Sequence, residues 1–512
     1  MIHRLRLQCL IFCTFFLIEG RLSAQKRLPK NVHYSVEAGG FVSAASTTPF
    51  WIRSNQYGEA PLKSQTFGVR GELYRTYDSL KRASATKKLD FGYGLRIAAN
   101  AGGANSFLLT EAYAKIRYKA FEMYAGRRRE TMGISDTTLG MGSYIWSGNS
   151  LPIPKIQIAL LDFTPIIKSG LLAVKGNIAQ GWFGSGDSTQ NYMLHQKSIY
   201  FRLGKPHWRF RLYSGINHQV QWGGRPTIPF LQGGTNAFIT EYGSNLFAFA
   251  HVLTGIGLQE LGYYKGTTIA SGEGGNRLGN HLGTLDLALE YRAPSVKWLL
   301  YRQSIYEDGS LSTLSSISDG LLGLSISTFN RKKFIQKIVL EYLSTDNQGG
   351  FRQSGNQTAA IPELRGADDY LNNATYEEGW TYRRKAIGTP FIMPLNELSG
   401  ITVKDIVGAY NPRYPVNPYA LLNNRVKAWM IGIQSQVKSV NLLTRLSYSQ
   451  NMGKYYLDSR VLLQAIDINQ ISLQQQAAIP IKQYLLTVAL AYDSQGVLEN
   501  NVGMSIFLKR HF

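Results

Sequence analysis

Three stretches of the chain set aromatic rings beside planar amides or guanidinium groups: Pro49-Phe50-Trp51-Ile52-Arg53-Ser54-Asn55-Gln56-Tyr57-Gly58, Ser143-Tyr144-Ile145-Trp146-Ser147-Gly148-Asn149, and Asn217-His218-Gln219-Val220-Gln221-Trp222-Gly223-Gly224. A sugar ring has a C–H face that rests on an indole or phenol, and hydroxyls that pair with amides and guanidinium groups, so this combination suits a carbohydrate platform. Trp51, Tyr57, Trp146 and Trp222 are the candidate stacking rings, and Asn55 and Asn149 the candidate amide partners. Arg53 and the run Arg127, Arg128, Arg129 are candidate cations for carboxylates of an acidic glycan. An alternative stands beside each. The rings also suit an interfacial girdle or the packing of a plug, and the arginines also suit a charge network with Glu111, Glu122 and Glu130 that holds a lumen in shape.

Catalysis has little to build on. After residue 24 the histidines are His33, His195, His207, His218, His251, His281 and His511, and none falls in a His-Glu-x-x-His spacing. No Gly-x-Ser-x-Gly elbow occurs. His218 shares parity with Leu212 and Ile216, which argues against a base facing a polar lumen. No metal site or cofactor is expected.

These residues must be positioned by strands. Leu89, Phe91, Tyr93, Leu95, Ile97 and Ala99 alternate with Asp90, Gly92, Gly94, Arg96 and Asn100. The same period of two runs through 208–213, 285–291 and 484–493. In the hairpin 107–130, Leu108, Thr110, Ala112, Ala114, Ile116 and Tyr118 fall on one parity, and Glu111, Tyr113, Lys115 and Arg117 on the lumen-facing one. Such segments are about ten residues long, the length a tilted strand needs to cross a bilayer. Counting them predicts about 16 to 18 strands, an all-β transmembrane antiparallel outer-membrane barrel with long extracellular loops. In the last segment Val502, Met504, Ile506, Leu508 and Phe512 share a parity against Gly503, Ser505, Lys509 and His511, with Phe507 the exception. A closing strand with a terminal aromatic suits recognition by barrel-assembly machinery. The Gly-, Pro- and Asn-rich stretches 45–65, 130–156, 224–240, 264–280 and 345–424 read as loops. A short turn between Tyr118 and Phe121 places 45–65 and 130–156 together at the opposite, outer end.

Residues 1–24 have a basic start at Arg4 and Arg6, an apolar run from Cys9 to Ile18, and Leu22-Ser23-Ala24 before Gln25, which predicts a cleaved signal peptide followed by a single barrel domain, 25–512. Both cysteines, Cys9 and Cys13, lie in that leader. The mature chain then has neither disulfide nor thiol chemistry. The formal charge is +22; the leader carries three arginines and one glutamate, so its removal leaves +20. That charge suits an acidic polysaccharide or outer-membrane lipid headgroups; nothing favours nucleic acid.

The chain resembles the capsule-assembly Wzi family. The likeness rests on Thr48 to Gly58, Gly126-Arg127-Arg128-Arg129-Glu130, Gly142 to Asn149, Leu151-Pro152-Ile153-Pro154-Lys155, His195-Gln196-Lys197-Ser198 and Asn217 to Gly224. It implies an 18-stranded outer-membrane barrel with a lectin-like role, holding exported capsular polysaccharide at the cell surface without turnover. The helical bundle that better-known members carry before the barrel has no counterpart in this sequence. A passive anion-selective porin is the alternative, since a basic lumen serves it equally. An outer-membrane enzyme acting on lipid or glycan is the third reading.

Overall fold

The structure is a computed structural model that describes residues 31–77, 89–186, 188–231, 238–256, 277–307, 316–349, 368–402, 407–410, 417–454, 461–463 and 466–512. Residues 1–24, where a cleaved leader is expected, lie outside the described residues. The main strands are β1 (Val32–Ser43), β2 (Thr66–Arg75), β3 (Leu89–Gly102), β4 (Ser106–Tyr118), β5 (Phe121–Arg127), β6 (Lys155–Pro165), β7 (Leu172–Ser185), β8 (Thr189–Leu203), β9 (Phe210–Trp222), β10 (Asn280–Arg292), β11 (Val296–Glu307), β12 (Gly320–Thr328), β13 (Ile335–Ser344), β14 (Val426–Val437), β15 (Val440–Asn451), β16 (Ile468–Ile481), β17 (Tyr484–Asp493) and β18 (Asn501–His511). Each pairs antiparallel with its neighbours in sequence. β1 also pairs with β18 from Ser35–His511 to Ser43–Gly503, which closes an 18-stranded barrel. Closure leaves no edge strand, the condition for crossing lipid with strands.

The alternation read from sequence maps onto the wall. Leu89, Phe91 and Leu95 are 59%, 58% and 43% exposed on the lipid face, while Arg96 and Asn100 turn inward and are buried. Phe507 is the expected exception. It points into the lumen, 5.1 Å from Phe41 and 4.1 Å from the Arg70 guanidinium. Gly39 makes room for it, since a Cβ there would come within 1.9 Å of the Ile506 carbonyl and 2.6 Å of the Phe507 ring.

One phase assignment needs correction. Arg96 pairs with Glu111 but Ile97 with Leu109, so Thr110 is an extra residue in β4. A bulge shifts everything beyond it to the other face. Phe107 and Leu109 therefore meet lipid, and Leu108 packs inward against the core.

The turns after β4, β6, β8, β10, β12, β14 and β16 are short and share one end with the start of β1. The long connections 44–65, 128–154, 223–279 and 345–425 share the other end, as the parity of the Tyr118–Phe121 turn requires. The 223–279 connection returns as a helix, α2 (Leu246–Thr254), capped by Asn245 and by Gly255 in the left-handed region. It lies on the outside of the wall, where its Ala248 and Val252 cover Val220 and Trp222. The described residues of the other three long connections turn into the barrel.

Candidate functional site

A barrel of this width has room for water, yet the loop-end half of this lumen is filled. The first loop carries a single helical turn, α1 (Phe50–Arg53), every residue of which is buried. Phe50 and Trp51 pack on Phe391 of the third loop at 5.1 and 5.9 Å, and Trp146 of the second meets Trp380 of the third at 6.1 Å. Tyr144, Ile145, Tyr370, Trp380 and Ile392 are all at most 1% exposed. The result is an apolar core inside a membrane barrel, a plug built from three loops.

A loop buried in this way must find partners for its backbone polar groups. The wall supplies them from inward-facing acidic and amide side chains. Asp493 accepts from Phe50 N at 2.8 Å, Asp286 from Ile134 N at 2.7 Å, Gln303 from Tyr144 N at 2.9 Å and Glu307 from Leu371 N at 2.7 Å. Glu341 does the same for Met141 N. These carboxylates are fasteners for the plug, a role that strand alternation alone does not reveal.

Nine of the ten residues singled out from sequence gather here. Trp51 is 1% exposed and donates to Ser447 Oγ at 3.0 Å. Arg53 is ion-paired with Glu397. Burial brings the Arg53 guanidinium down to about 10, partly offset by Asp493. Asn55 and Tyr57 both sit at positive φ, 55° and 52°. Asn55 N donates to Asn149 Oδ1 at 3.2 Å and Tyr57 N to the Gly148 carbonyl at 2.7 Å, so the first and second motifs are clasped together. Asn149 also donates to the Ala386 carbonyl of the third loop at 3.2 Å. Trp146 is 6% exposed, with the Lys155 ammonium 5.0 Å from its ring.

The arginine run splits. Arg128 bridges Glu122 and Glu130, both at 2.5 Å, and Arg129 bridges Glu111 at 2.8 Å and Glu72 at 2.7 Å. Burial pushes Glu130 up, but the charges of Lys155 and Arg128 and their hydrogen bonds outweigh it and hold the carboxyl at about 2. Arg127 instead donates to the Tyr382 hydroxyl at 2.8 Å and lies 5.6 Å from that ring. Trp222 does not join the others. It faces the outside of the wall beneath α2, 5.5 Å from Phe249, and His218 shares that outward face as its parity implied. With Trp51, Trp146 and Trp222 almost wholly covered by protein, their ring faces meet side chains in this structure.

Exposed chemistry near the plug belongs to a hairpin of the third loop. Thr381–Tyr382 pairs with Lys385–Ala386, and Arg383 and Arg384 at its tip are exposed with φ of 51° and 66°. The Arg384 guanidinium lies 4.4 Å from the Tyr419 ring. Burial, and then the charge of Arg53, brings the Lys385 ammonium down to about 7. Sequence reading named the surrounding stretch as a long loop without assigning these side chains a role; two consecutive arginines flanked by tyrosine were the available signal.

Residues 52–391 match the model of the family described as Capsule assembly protein Wzi. The chain belongs to the Wzi family. Among solved structures it is similar to the Escherichia coli Wzi outer-membrane protein, which is described as involved in group 1 capsule assembly and as a carbohydrate-binding β-barrel. The two share 12% identity over 94% of this chain and 84% of that one, with a TM-score of 0.53. OccK5 of Pseudomonas aeruginosa aligns over 94% of this chain and 97% of its own at 7% identity and a TM-score of 0.44. No curated protein sequence matches. Membership and fold together make this an outer-membrane β-barrel of a capsule assembly family.

Proposed function

We propose that the protein binds exported capsular polysaccharide at the loop end of the barrel and helps retain it on the cell surface. The observation that carries this reading is the plug. A lumen filled by Phe50, Trp51, Trp146, Trp380 and Phe391 leaves that end of the barrel as a surface for ligands and not as a passage for them. The carbohydrate-binding description of the Escherichia coli relative supports the same ligand class, and the net charge of +22 supports an acidic one. In this reading the first contacts are the exposed Arg383 and Arg384 with Tyr419, and the buried residues Trp51, Arg53, Asn55, Tyr57, Arg127, Arg128, Arg129, Trp146 and Asn149 hold that hairpin and its loops in place. Trp222 fixes α2.

The test is the ratio of cell-bound to shed polysaccharide in cells with and without the protein. A shift to the shed fraction on deletion, restored by the intact gene and not by the Arg383→Gln, Arg384→Gln double variant, is expected. Unchanged retention on deletion overturns the proposal.

A further inference from the structure

On the short-turn side of the plug the lumen opens into a cavity of about 450 Å³. Its roof is the plug segment 130–137, and its wall comes from the short-turn halves of β6 to β11. Small-molecule sites span roughly 300–1,000 Å³ and combine ring faces with a few placed polar groups. This one has Phe163 and Tyr213 with ring centroids 5.3 Å apart, and beside them Gln157, Asn177, Ser198 and Lys175.

The wall is deformed at this place. β6 and β7 pair from Lys155–Gly181 to Leu160–Gly176 and resume only at Thr164–Val174, so Leu161, Asp162 and Phe163 stand opposite the single residue Lys175. Extra residues break the ladder and re-aim side chains, and bulges concentrate beside functional sites. Here the bulge delivers Leu161 and Phe163 to the cavity directly across from Lys175.

The charges around the cavity are unequal in their freedom. Glu130 is held by Arg128 at 2.5 Å and Lys155 at 2.8 Å, and Glu290 is ion-paired with Arg211. Lys175 is exposed into the lumen and has no hydrogen bond or ion pair among the described residues. Asn177 donates to Gln157 Oε1 at 3.2 Å and accepts from Ser198, which lines up amide groups beside the ammonium. Lys175 is the exposed cation of the cavity, with the charges of Asp162 on the facing bulge and of Glu130 acting on it, and it is set next to two ring faces and a row of amide and hydroxyl groups.

We propose that this cavity binds a single acidic sugar unit, a pyranose bearing a carboxylate. Lys175 takes the carboxylate, the Phe163–Tyr213 pair takes a ring face, and Gln157, Asn177 and Ser198 take hydroxyls. The ligand enters from the end opposite the loops, so the plugged barrel has a glycan site on each side. This rests on the polysaccharide reading above but uses none of its residues.

Saturation-transfer NMR on the full-length protein in detergent micelles, with sodium glucuronate as probe and methyl glucoside and inorganic phosphate as controls, tests it. Glucuronate is expected to bind more tightly than either control. Lys175→Gln is expected to weaken it about tenfold, the worth of one charge-assisted hydrogen bond. Lys175→Arg is expected to restore most of the binding, and Tyr213→Leu to weaken it with the β-sheet circular dichroism signal intact. Absent binding, equal binding by wild type and Lys175→Gln, or methyl glucoside or phosphate binding as tightly as glucuronate each overturns the site. Retention of polysaccharide by cells is scored separately. If it depends on the protein while glucuronate fails to bind, the cavity proposal falls and the polysaccharide reading stands.

Discussion

Arg53 and Glu397 are each about 4% exposed and come from loops 344 residues apart in the chain. Removing one member of such a pair strands a buried charge, at a cost of about 3–5 kcal/mol, whereas replacing both by apolar groups is often neutral. Arg53→Met is expected to destabilise the plug by that amount, and Arg53→Met with Glu397→Leu to recover most of it. A double-mutant cycle read by hydrogen exchange at residues 49–58 measures both; additive costs would mean that the pair is not coupled. Lys385 gives a pH signature. Its ammonium titrates at about 7 in the folded protein against a free-lysine value of 10.5, so between those limits the unfolded state binds more protons and the plug gains stability as pH rises. Below about 7 the penalty is constant. Exchange protection of the 381–386 hairpin is expected to increase from pH 7 to 10, and Lys385→Met is expected to remove the slope. Glu130 acts in the opposite range. Its stabilising ion pairs are complete above the ordinary carboxylate value of 4.5 and are lost as pH falls towards about 2.

The strands were legible because lipid on one side and a polar lumen on the other impose a period of two, and that period survives in segments such as 285–291, where Leu287 and Leu289 are exposed and Asp286 and Glu290 buried. The bulge at Thr110 was not legible, since one extra residue leaves no mark on composition. Nor was the plug. Its defining contacts, such as Trp51 to Ser447 and Trp380 Nε1 to the Ile145 carbonyl at 2.8 Å, join residues that only the closed barrel brings together. The helix α2 did carry a readable signal, an apolar run between Asn245 and Gly255, a good N-cap and C-cap pair. The plug also decides between a porin and a sealed barrel. In planar bilayers the intact protein is expected to show no stepwise conductance, and deletion of 370–398, which removes Trp380 and Phe391, is expected to open it. A conducting intact protein would return the anion-selective porin to first place.

At the scale of the whole molecule the barrel is both wall and fastening. Inward carboxylates such as Asp286, Glu307 and Asp493 hold loop backbone, while inward arginines such as Arg96, with Glu59 at 2.5 Å, keep the lumen charge paired. The distances along the chain set an order of events in folding. The Phe50 amide is fastened by Asp493, 443 residues away, and the Ala45 amide by Asn501, 456 residues away. Contacts of such separation form late, because their loop-closure entropy must be met before they return anything. These two fastenings of the first loop therefore form only once the last two strands have arrived. A chain truncated before β17, though it keeps every motif that marks the family, would lose the Asp493 and Asn501 fastenings of its first loop together with the seam that closes the wall.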